Sequence, residues 1–326
     1  MILVTGGAGY IGSHAVKALL DKGCAVAVFD NLSYGHAGAI DQRAEFIRGD
    51  LQDPPAIRET LQRYPIRLVM HFAAHSIVPE SVLKPLLSYR NVSATVNLLS
   101  AMAESGVKRL VFSSTAAVYG EPVKLPIEED HPINPTNPYG ESKACLESML
   151  ARLHRAAGLN YVSLRYFNAA GADPDGALGE DHHPETHLIP LVLKTALGQR
   201  EKIFVYGSDY PTEDGTAVRD YIHVSDLVEA HLLAMHLLEK DRPVQAVYNL
   251  GHQKGYSVLE VIETARRITK REIPLEMASR RPGDPSTLIA ASDKIKKELG
   301  WKPRFTALAK IIATAWEWHL HHPNGY

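Results

Sequence analysis

Seven residues near the N-terminus, Gly6-Gly7-Ala8-Gly9-Tyr10-Ile11-Gly12, constrain the fold more than any other stretch of this sequence. They lie between a short apolar run, Ile2 to Thr5, and a segment of helical period (Ile11, Ala15, Leu19) that lasts until Gly23. In a strand, glycine turn and helix, backbone amides and a helix N-terminus can meet a pyrophosphate, because glycines permit a tight turn and close backbone approach. A second apolar run, Ala25 to Phe29, ends on Asp30, 18 residues beyond Gly12. A carboxylate there accepts hydrogen bonds from an adenosine ribose and repels a 2′-phosphate, and Asn31-Leu32-Ser33 offers no arginine to neutralise one. The reading is a dinucleotide site for NAD rather than NADP, with Gly6, Gly9, Tyr10, Ile11, Gly12, Asp30 and Asn31 as cofactor contacts.

The alternation continues through apolar runs at Ala44 to Ile47, Leu68 to Phe72, Arg109 to Phe112 and Tyr161 to Leu164, with helical stretches at Ala56 to Tyr64, Leu86 to Ser105 and Pro138 to Ala157. Strands alternating with helices of this length predict an α/β fold, a Rossmann-type doubly wound parallel sheet with ligands beyond the carboxyl ends of its strands. After Gly171 the texture changes to a loop rich in glycine, aspartate and proline that lasts to Pro184, and a smaller α/β substrate-binding domain is expected beyond it. Val224 to Leu238 (helix) and Val247 to Gly251 (strand) could return to the first sheet, so the division expected is 1–170, reclaiming about 222–251, against 171–221 plus 252–326.

The formal charge of −2 gives no basic field, so neither nucleic acid nor a membrane surface is an expected partner, and any phosphate must be held by local geometry. Cys24 and Cys145 show neither disulfide nor metal-ligand spacing, which suits a reducing cytoplasm, and no metal is expected. No charged segment precedes Met1-Ile2-Leu3-Val4, so no export signal is expected either. The histidines near the end, His319, His321 and His322, read as a solvated tail.

Tyr139 and Lys143 stand four apart in a predicted helix and project from one face. An isolated pair of this kind is more often a surface tyrosine beside a solvated lysine. Here Phe112-Ser113-Ser114-Thr115 closes a buried-type strand and sets hydroxyls at a carboxyl end, where the ligand crevice is expected. A phenol with its ordinary pKa near 10 needs about 4 kcal/mol of phenolate stabilisation to act as a base near neutrality. A lysine cation ~6 Å away supplies about 2.8 kcal/mol at an effective dielectric of ~20. An oxidised nicotinamide would add the remaining positive charge. Tyr139 is thus the candidate base, Lys143 its electrostatic partner, and Thr115 or Ser114 the donor to the reacting oxygen.

The three-residue spacing of Gly6, Gly9 and Gly12 resembles the extended branch of the short-chain dehydrogenase/reductase superfamily. Further motifs resemble its UDP-glucose 4-epimerase family: Gly49-Asp50-Leu51, His71-Phe72-Ala73-Ala74, Ser113 to Gly120, Asn137-Pro138-Tyr139-Gly140 with Lys143, Arg165-Tyr166-Phe167-Asn168, and above all Asp209 to Val224. The resemblance implies retained NAD, a transient 4-keto sugar and a homodimer through the helices Leu86 to Ser105 and Pro138 to Ala157. Carried over by position, Asp50 and Leu51 flank adenine, Phe72, Ala73 and Asn91 line the cofactor path, and Tyr166 lies near nicotinamide. Asn168, Arg219 and Arg281 hold the UDP diphosphate, Tyr206 adjoins uracil, Asp284 reaches the uridine ribose, and His187 and Leu188 lie beside the nucleotide.

Three positions depart from that pattern: Ser76 stands where many relatives carry lysine, His187 where many carry asparagine, and Leu288 where a tyrosine marks a site restricted to glucose and galactose. A small residue at the last position implies activity on UDP-GlcNAc and UDP-GalNAc as well. A 4,6-dehydratase would place an Asp-Glu pair directly after the strand-end threonine, and this chain has Ala116-Ala117. Epimerisation of another UDP-sugar such as UDP-glucuronate, and a non-enzymatic NAD-binding sensor, are the remaining alternatives.

Overall fold

The computed structural model describes residues 1–281 and 284–326. In chain order its elements are β1 (Ile2–Thr5), α1 (Tyr10–Asp21), β2 (Val26–Asp30), β3 (Glu45–Arg48), α2 (Pro54–Arg63), β4 (Leu68–His71), α3 (Val78–Leu83), α4 (Pro85–Glu104), β5 (Arg109–Thr115), α5 (Pro138–Ala157) and β6 (Asn160–Tyr166). They continue with β7 (Asn168–Ala170), α6 (Leu188–Ala196), β8 (Ile203–Tyr206), β9 (Val218–His223), α7 (Val224–Leu238), β10 (Gln245–Leu250), β11 (Gly255–Ser257), α8 (Val258–Thr269), β12 (Leu275–Ala278), β13 (Thr287–Leu288), α9 (Asp293–Leu299) and α10 (Leu308–His321). Short 3-10 turns cover Ala37–Ala39 and Ala116–Val118.

Two compact units result. The first comprises Met1–Gly120, Pro132–Arg165 and Val228–Tyr248, and the second Glu121–His131, Tyr166–Leu227 and Asn249–Tyr326. The first is built on a seven-stranded sheet of order β10-β6-β5-β4-β1-β2-β3, in which β1 pairs in parallel with both β2 and β4. The chain winds outward from β1 to β3 and then returns through β4, so the strand order reverses between β1 and β4, which puts the ligand crevice of a doubly wound sheet at their carboxyl ends. The central strands β1, β2 and β4 are buried throughout because helices cover the sheet, while the edge strand β3 is largely exposed. Leu3, Phe29, Val69, Leu110 and Phe112 from the sheet pack with Leu98 and Met102 of α4 and Leu146 and Leu150 of α5. The late strand β10 joins this sheet at its edge beside β6.

In the second unit β9 pairs with β11, β13 and β7, and β8 pairs with β12. Its core joins Val192 and Leu193 of α6, Val261 and Ile262 of α8 and Ile311, Ile312 and Trp316 of α10. The C-terminal end is not a solvated tail: Ile312, Trp316 and His319 lie on the same buried stripe of α10, and His319 is 3% exposed. Burial holds its imidazole down to about 4. His321 remains on the exposed side, with Nδ1 2.8 Å from the Glu317 carbonyl. Among the described residues no helix is long and apolar enough to cross a membrane.

Candidate functional site

The glycine turn after β1 is defined by what its glycines leave out. A Cβ on Gly12 would stand 2.1 Å from the Gly6 carbonyl oxygen, and one on Gly6, whose φ is +74°, 2.5 Å from the Ala73 nitrogen. Those two glycines let three backbone segments close together. At Gly9 the same Cβ would meet only the Gly6 oxygen, at 3.4 Å, so space remains above the turn. Gly9 caps α1 without a side chain, and no acid lies in the first helical turn. This leaves the positive end of the helix to an outside anion, as a pyrophosphate requires. Substituting Gly12→Ala forces backbone against backbone, an overpacking cost of about 1–3 kcal/mol borne by the turn itself. NAD recovered from purified protein by heat release should fall by roughly tenfold or more.

Asp30, at the end of β2, fixes this turn: its carboxylate accepts from the Ala8 amide at 3.0 Å and the Leu32 amide at 2.8 Å. Asn31 donates its amide to Asp50 at 2.9 Å, and Asp50 also accepts from the Gln52 amide. Leu51, buried, is anchored through its carbonyl by Asn97 at 2.8 Å. The amides of Phe72 and Ala73 both donate to the Thr5 carbonyl, and the Phe72 ring packs on His231. Asn91 accepts from the His75 amide at 2.8 Å and donates to the His75 carbonyl at 3.0 Å, so its side chain shapes the loop after β4.

The hydroxyl-bearing end of β5 and the start of α5 lie in the same unit. Asn137 caps α5 by accepting from the Gly140 amide at 2.9 Å, with Pro138 in the first turn. A Cβ on Gly140 would sit 2.3 Å from the Ala117 carbonyl, so the helix begins in close contact with the turn that follows Thr115. Thr115 accepts from the Ala117 amide at 3.1 Å. One turn into α5, Lys143 is buried, donates from Nζ to the Ser113 carbonyl at 2.8 Å and lies 5.9 Å from the centre of the Tyr139 ring. Burial pulls this ammonium down to about 7, and Glu147 pushes the other way.

The sequence reading missed Glu147 and Arg165 as a pair. Glu147 accepts from Ser114 Oγ at 2.6 Å and from Arg165 Nε at 3.0 and 3.1 Å, and Arg165 donates to the Tyr119 hydroxyl at 2.8 Å. The spacing signalled Glu147 alone, since Tyr139, Lys143 and Glu147 follow each other at intervals of four on one helix face; its pairing with Arg165 carries no such signal. Ser114 therefore spends its hydroxyl on Glu147, leaving Thr115 as the strand-end hydroxyl placed to serve a ligand. His71, held between Thr5 at 2.6 Å and Thr95 at 2.9 Å, is driven to about 3 by burial and, secondarily, by Lys143, so it is a neutral structural link.

Because Lys143 is held near 7 while an unfolded lysine titrates near 10.4, the unfolded chain carries more protons between those values, and stability rises with pH across that window. In protein stripped of cofactor, Lys143→Met should raise the melting temperature at pH 6 and flatten its rise from about pH 7 to 10. Calorimetry over that pH range checks both.

The second unit holds the other predicted residues. Asn168 opens β7 and is in register with Tyr221 of β9. Tyr166 ends β6. Arg219 forms an ion pair with Asp284 and donates to the Val218 carbonyl at 2.8 Å. The Arg281 guanidinium lies 4.1 Å from the centre of the Tyr206 ring. Leu288, half-buried on β13, is in register with Arg219. The β9–β13 pairing thus sets Leu288 beside Arg219, and the ion pair with Arg219 holds Asp284 there. His187 caps α6 ahead of Leu188, and its Nδ1 lies 2.9 Å from carboxylate oxygens of both Glu180 and Glu185.

Residues 2–251 match the NAD dependent epimerase/dehydratase family. A relative from Halalkalibacterium halodurans named UDP-glucose 4-epimerase is 54% identical over 326 residues, covering 100% of this chain and 97% of the relative. The crystal structure of UDP-glucose 4-epimerase from Bifidobacterium longum in complex with NAD+ and UDP superposes with a TM-score of 0.96 at 40% identity, covering 100% of this chain and 99% of that one. The UDP-Glc/GlcNAc 4-epimerase of Campylobacter jejuni superposes with a TM-score of 0.85 at 39% identity, covering 98% and 99%.

Proposed function

This chain belongs to the NAD-dependent epimerase/dehydratase family, and from that premise we propose that it interconverts UDP-galactose and UDP-glucose by inverting C4 through a transient 4-keto sugar. The observation that carries the reading is the Tyr139–Lys143 pair at the carboxyl end of β5, with Lys143 buried and pinned to the Ser113 carbonyl. Tyr139 takes the proton of the 4-hydroxyl group and returns it after the sugar has turned over. Lys143 favours the phenolate by its charge, and Thr115 donates a hydrogen bond to the reacting oxygen. When bound, NAD+ would supply a reversible hydride acceptor for C4, with no net consumption. The residues that would hold it are the amides of the Gly6–Gly12 turn, Asp30 at the ribose with Asn31 beside it, Asp50 and Leu51 around adenine, Phe72, Ala73 and Asn91 along the cofactor path, and Tyr166 near the nicotinamide. The space above Gly9 and the uncapped helix start support that fit.

We assign the nucleotide sugar to the second unit. Asn168, Arg219 and Arg281 hold the diphosphate, where an arginine's planar fork matches phosphate oxygens. Tyr206 adjoins uracil, Asp284 meets the ribose, and Leu188 lies beside the nucleotide. Leu288 in place of a tyrosine supports acceptance of UDP-GlcNAc and UDP-GalNAc. The assembly we propose is a cytoplasmic homodimer through α4 and α5, supported by the exposed apolar side chains Leu83, Leu86 and Tyr89 on and beside α4.

The test is substrate profiling of the purified chain without added NAD. UDP-galactose should be converted to UDP-glucose, and the N-acetylhexosamine pair should also interconvert. Turnover of UDP-glucuronate alone would replace the proposed substrate, and robust galactose turnover with no N-acetylhexosamine activity would overturn the extension.

A further inference from the structure

In the loop that leads into α6, the sequence Glu180-Asp181-His182-His183-Pro184-Glu185-Thr186-His187 has six side chains of metal-ligand type in eight consecutive residues, and four of them, Glu180, His182, Glu185 and His187, converge. We propose that Glu180, His182, Glu185 and His187 bind one divalent transition-metal ion, zinc in the first instance, in a closed structural site.

The geometry carries the proposal. One ligand atom from each residue lies within 4.8 Å of all the others. His182 Nδ1 is 3.3 Å from a Glu180 oxygen and 3.6 Å from a Glu185 oxygen, and His187 Nδ1 is 2.9 Å from an oxygen of each. Zinc bonds to imidazole nitrogen and carboxylate oxygen of about 2.0–2.2 Å imply ligand–ligand edges of roughly 3.3–3.5 Å in a tetrahedron. The two separations to the shared Glu180 oxygen, 3.3 and 2.9 Å, and those to the two different oxygens of Glu185, 3.6 and 2.9 Å, lie to either side of that edge, so an ion entering the cluster needs modest side-chain shifts.

Charge and burial point the same way. The side chains of Glu180 and Glu185 are 6% and 5% exposed, and the ion pairs recorded for both are with His182 and His187. Two buried carboxylates need two positive charges, which either two protonated imidazoles or one divalent ion beside two neutral imidazoles supplies, so metal binding would exchange two protons for one ion. One oxygen of Glu185 accepts from the Thr186 and His187 amides at 2.7 and 2.8 Å, which orients the carboxylate as supporting hydrogen bonds do around metals. His187, 39% exposed, leaves a path by which an ion can enter. With four protein ligands no position is left for substrate, so the ion would fasten the 180–187 loop to the start of α6. The proposal gives His187 a different task from the nucleotide contact implied by its position in the family.

The experiment uses the untagged full chain, dialysed against a chelator and then titrated with zinc sulfate by calorimetry and with cobalt(II) by visible absorption. Expected are one zinc per chain, the intense visible bands of tetrahedral cobalt, and a melting temperature that rises on zinc saturation. The double variant Glu180→Gln, His182→Ala, shown to be folded by circular dichroism, should lose zinc affinity by at least roughly 10–100-fold. The exposed His183 and His321 are retained as an internal control for surface binding. Should the double variant fail to fold, Glu180→Gln alone serves, since it keeps the side chain's shape. Absence of a one-to-one zinc or cobalt site in the parent chain, or undiminished affinity in the folded variant, would overturn the proposal; the cluster would then be an imidazole–carboxylate ion-pair network.

Discussion

Replacing Tyr139 with phenylalanine is expected to lower kcat by about 10²–10⁴-fold while leaving bound NAD and the affinity for UDP unchanged. Tyr139 is 7% exposed and sits in the first turn of α5, whose start is held by the Asn137 cap and by the close contact at Gly140. Removing one hydroxyl oxygen takes away the proton acceptor and little of the packing. The affected quantity is therefore kcat rather than the melting temperature or the cofactor content. Thr115→Val should cost less, since its hydroxyl orients the reacting oxygen without carrying its proton. Steady-state kinetics, with NAD released and quantified from the same preparations, separates these outcomes. Unchanged turnover in Tyr139→Phe would remove Tyr139 from the role of base.

The largest effect on stability is expected at Glu147. Its carboxylate is buried with the Arg165 guanidinium, and Glu147→Leu would leave that guanidinium uncompensated, at a cost of about 3–5 kcal/mol. At roughly 2–4 °C per kcal/mol for a unit of about 150–250 residues, the melting temperature of the unit that holds this pair should drop by on the order of 10 °C. Replacing both partners with apolar residues, Glu147→Leu with Arg165→Met, should recover most of the loss, because the penalty lies in the orphaned charge rather than in the missing pair. Glu147→Gln keeps the shape and carries a kinetic consequence. Glu147 is the group that pushes Lys143 upward against burial, so its neutralisation drops Lys143 further below about 7. The limb of the pH–rate profile that reports loss of the lysine proton should then shift to lower pH. A double-mutant cycle read by denaturant melts and a pH profile for Glu147→Gln checks the two statements independently.

What the sequence displayed most openly was local. The strand at Ile2–Thr5 and the helix at Pro138–Ala157 have the bounds that apolar period and capping residues predict, because Gly6 ends the first and Asn137, Pro138 and Gly158 delimit the second, and the helix at Val224–Leu238 has the bounds of its apolar stretch. The glycine turn and the Tyr139–Lys143 face were legible for the same reason, since spacing within one element is geometry. Contacts between distant segments were not legible. Nothing in the sequence joins Glu147 to Arg165 or Ser114, because the packing of β5, β6 and α5 brings them together. His319 looked like part of a polar tail, yet α10 turns it onto the stripe shared with Ile312 and Trp316. The carboxylates and imidazoles of residues 180–187 lie in a loop without period, where spacing says little about which side chains converge.

The measurement that bears most directly on the central claim is the fate of hydrogen at C4. UDP-galactose carrying deuterium at C4 is incubated with the enzyme in ordinary water, and the UDP-glucose formed is examined by NMR and mass spectrometry. If C4 hydrogen leaves as hydride, is held within the protein and returns to the other face, the label stays at C4 of the product in full. Replacement of the label by solvent hydrogen would mean that C4 is inverted by proton exchange, and would contradict the account.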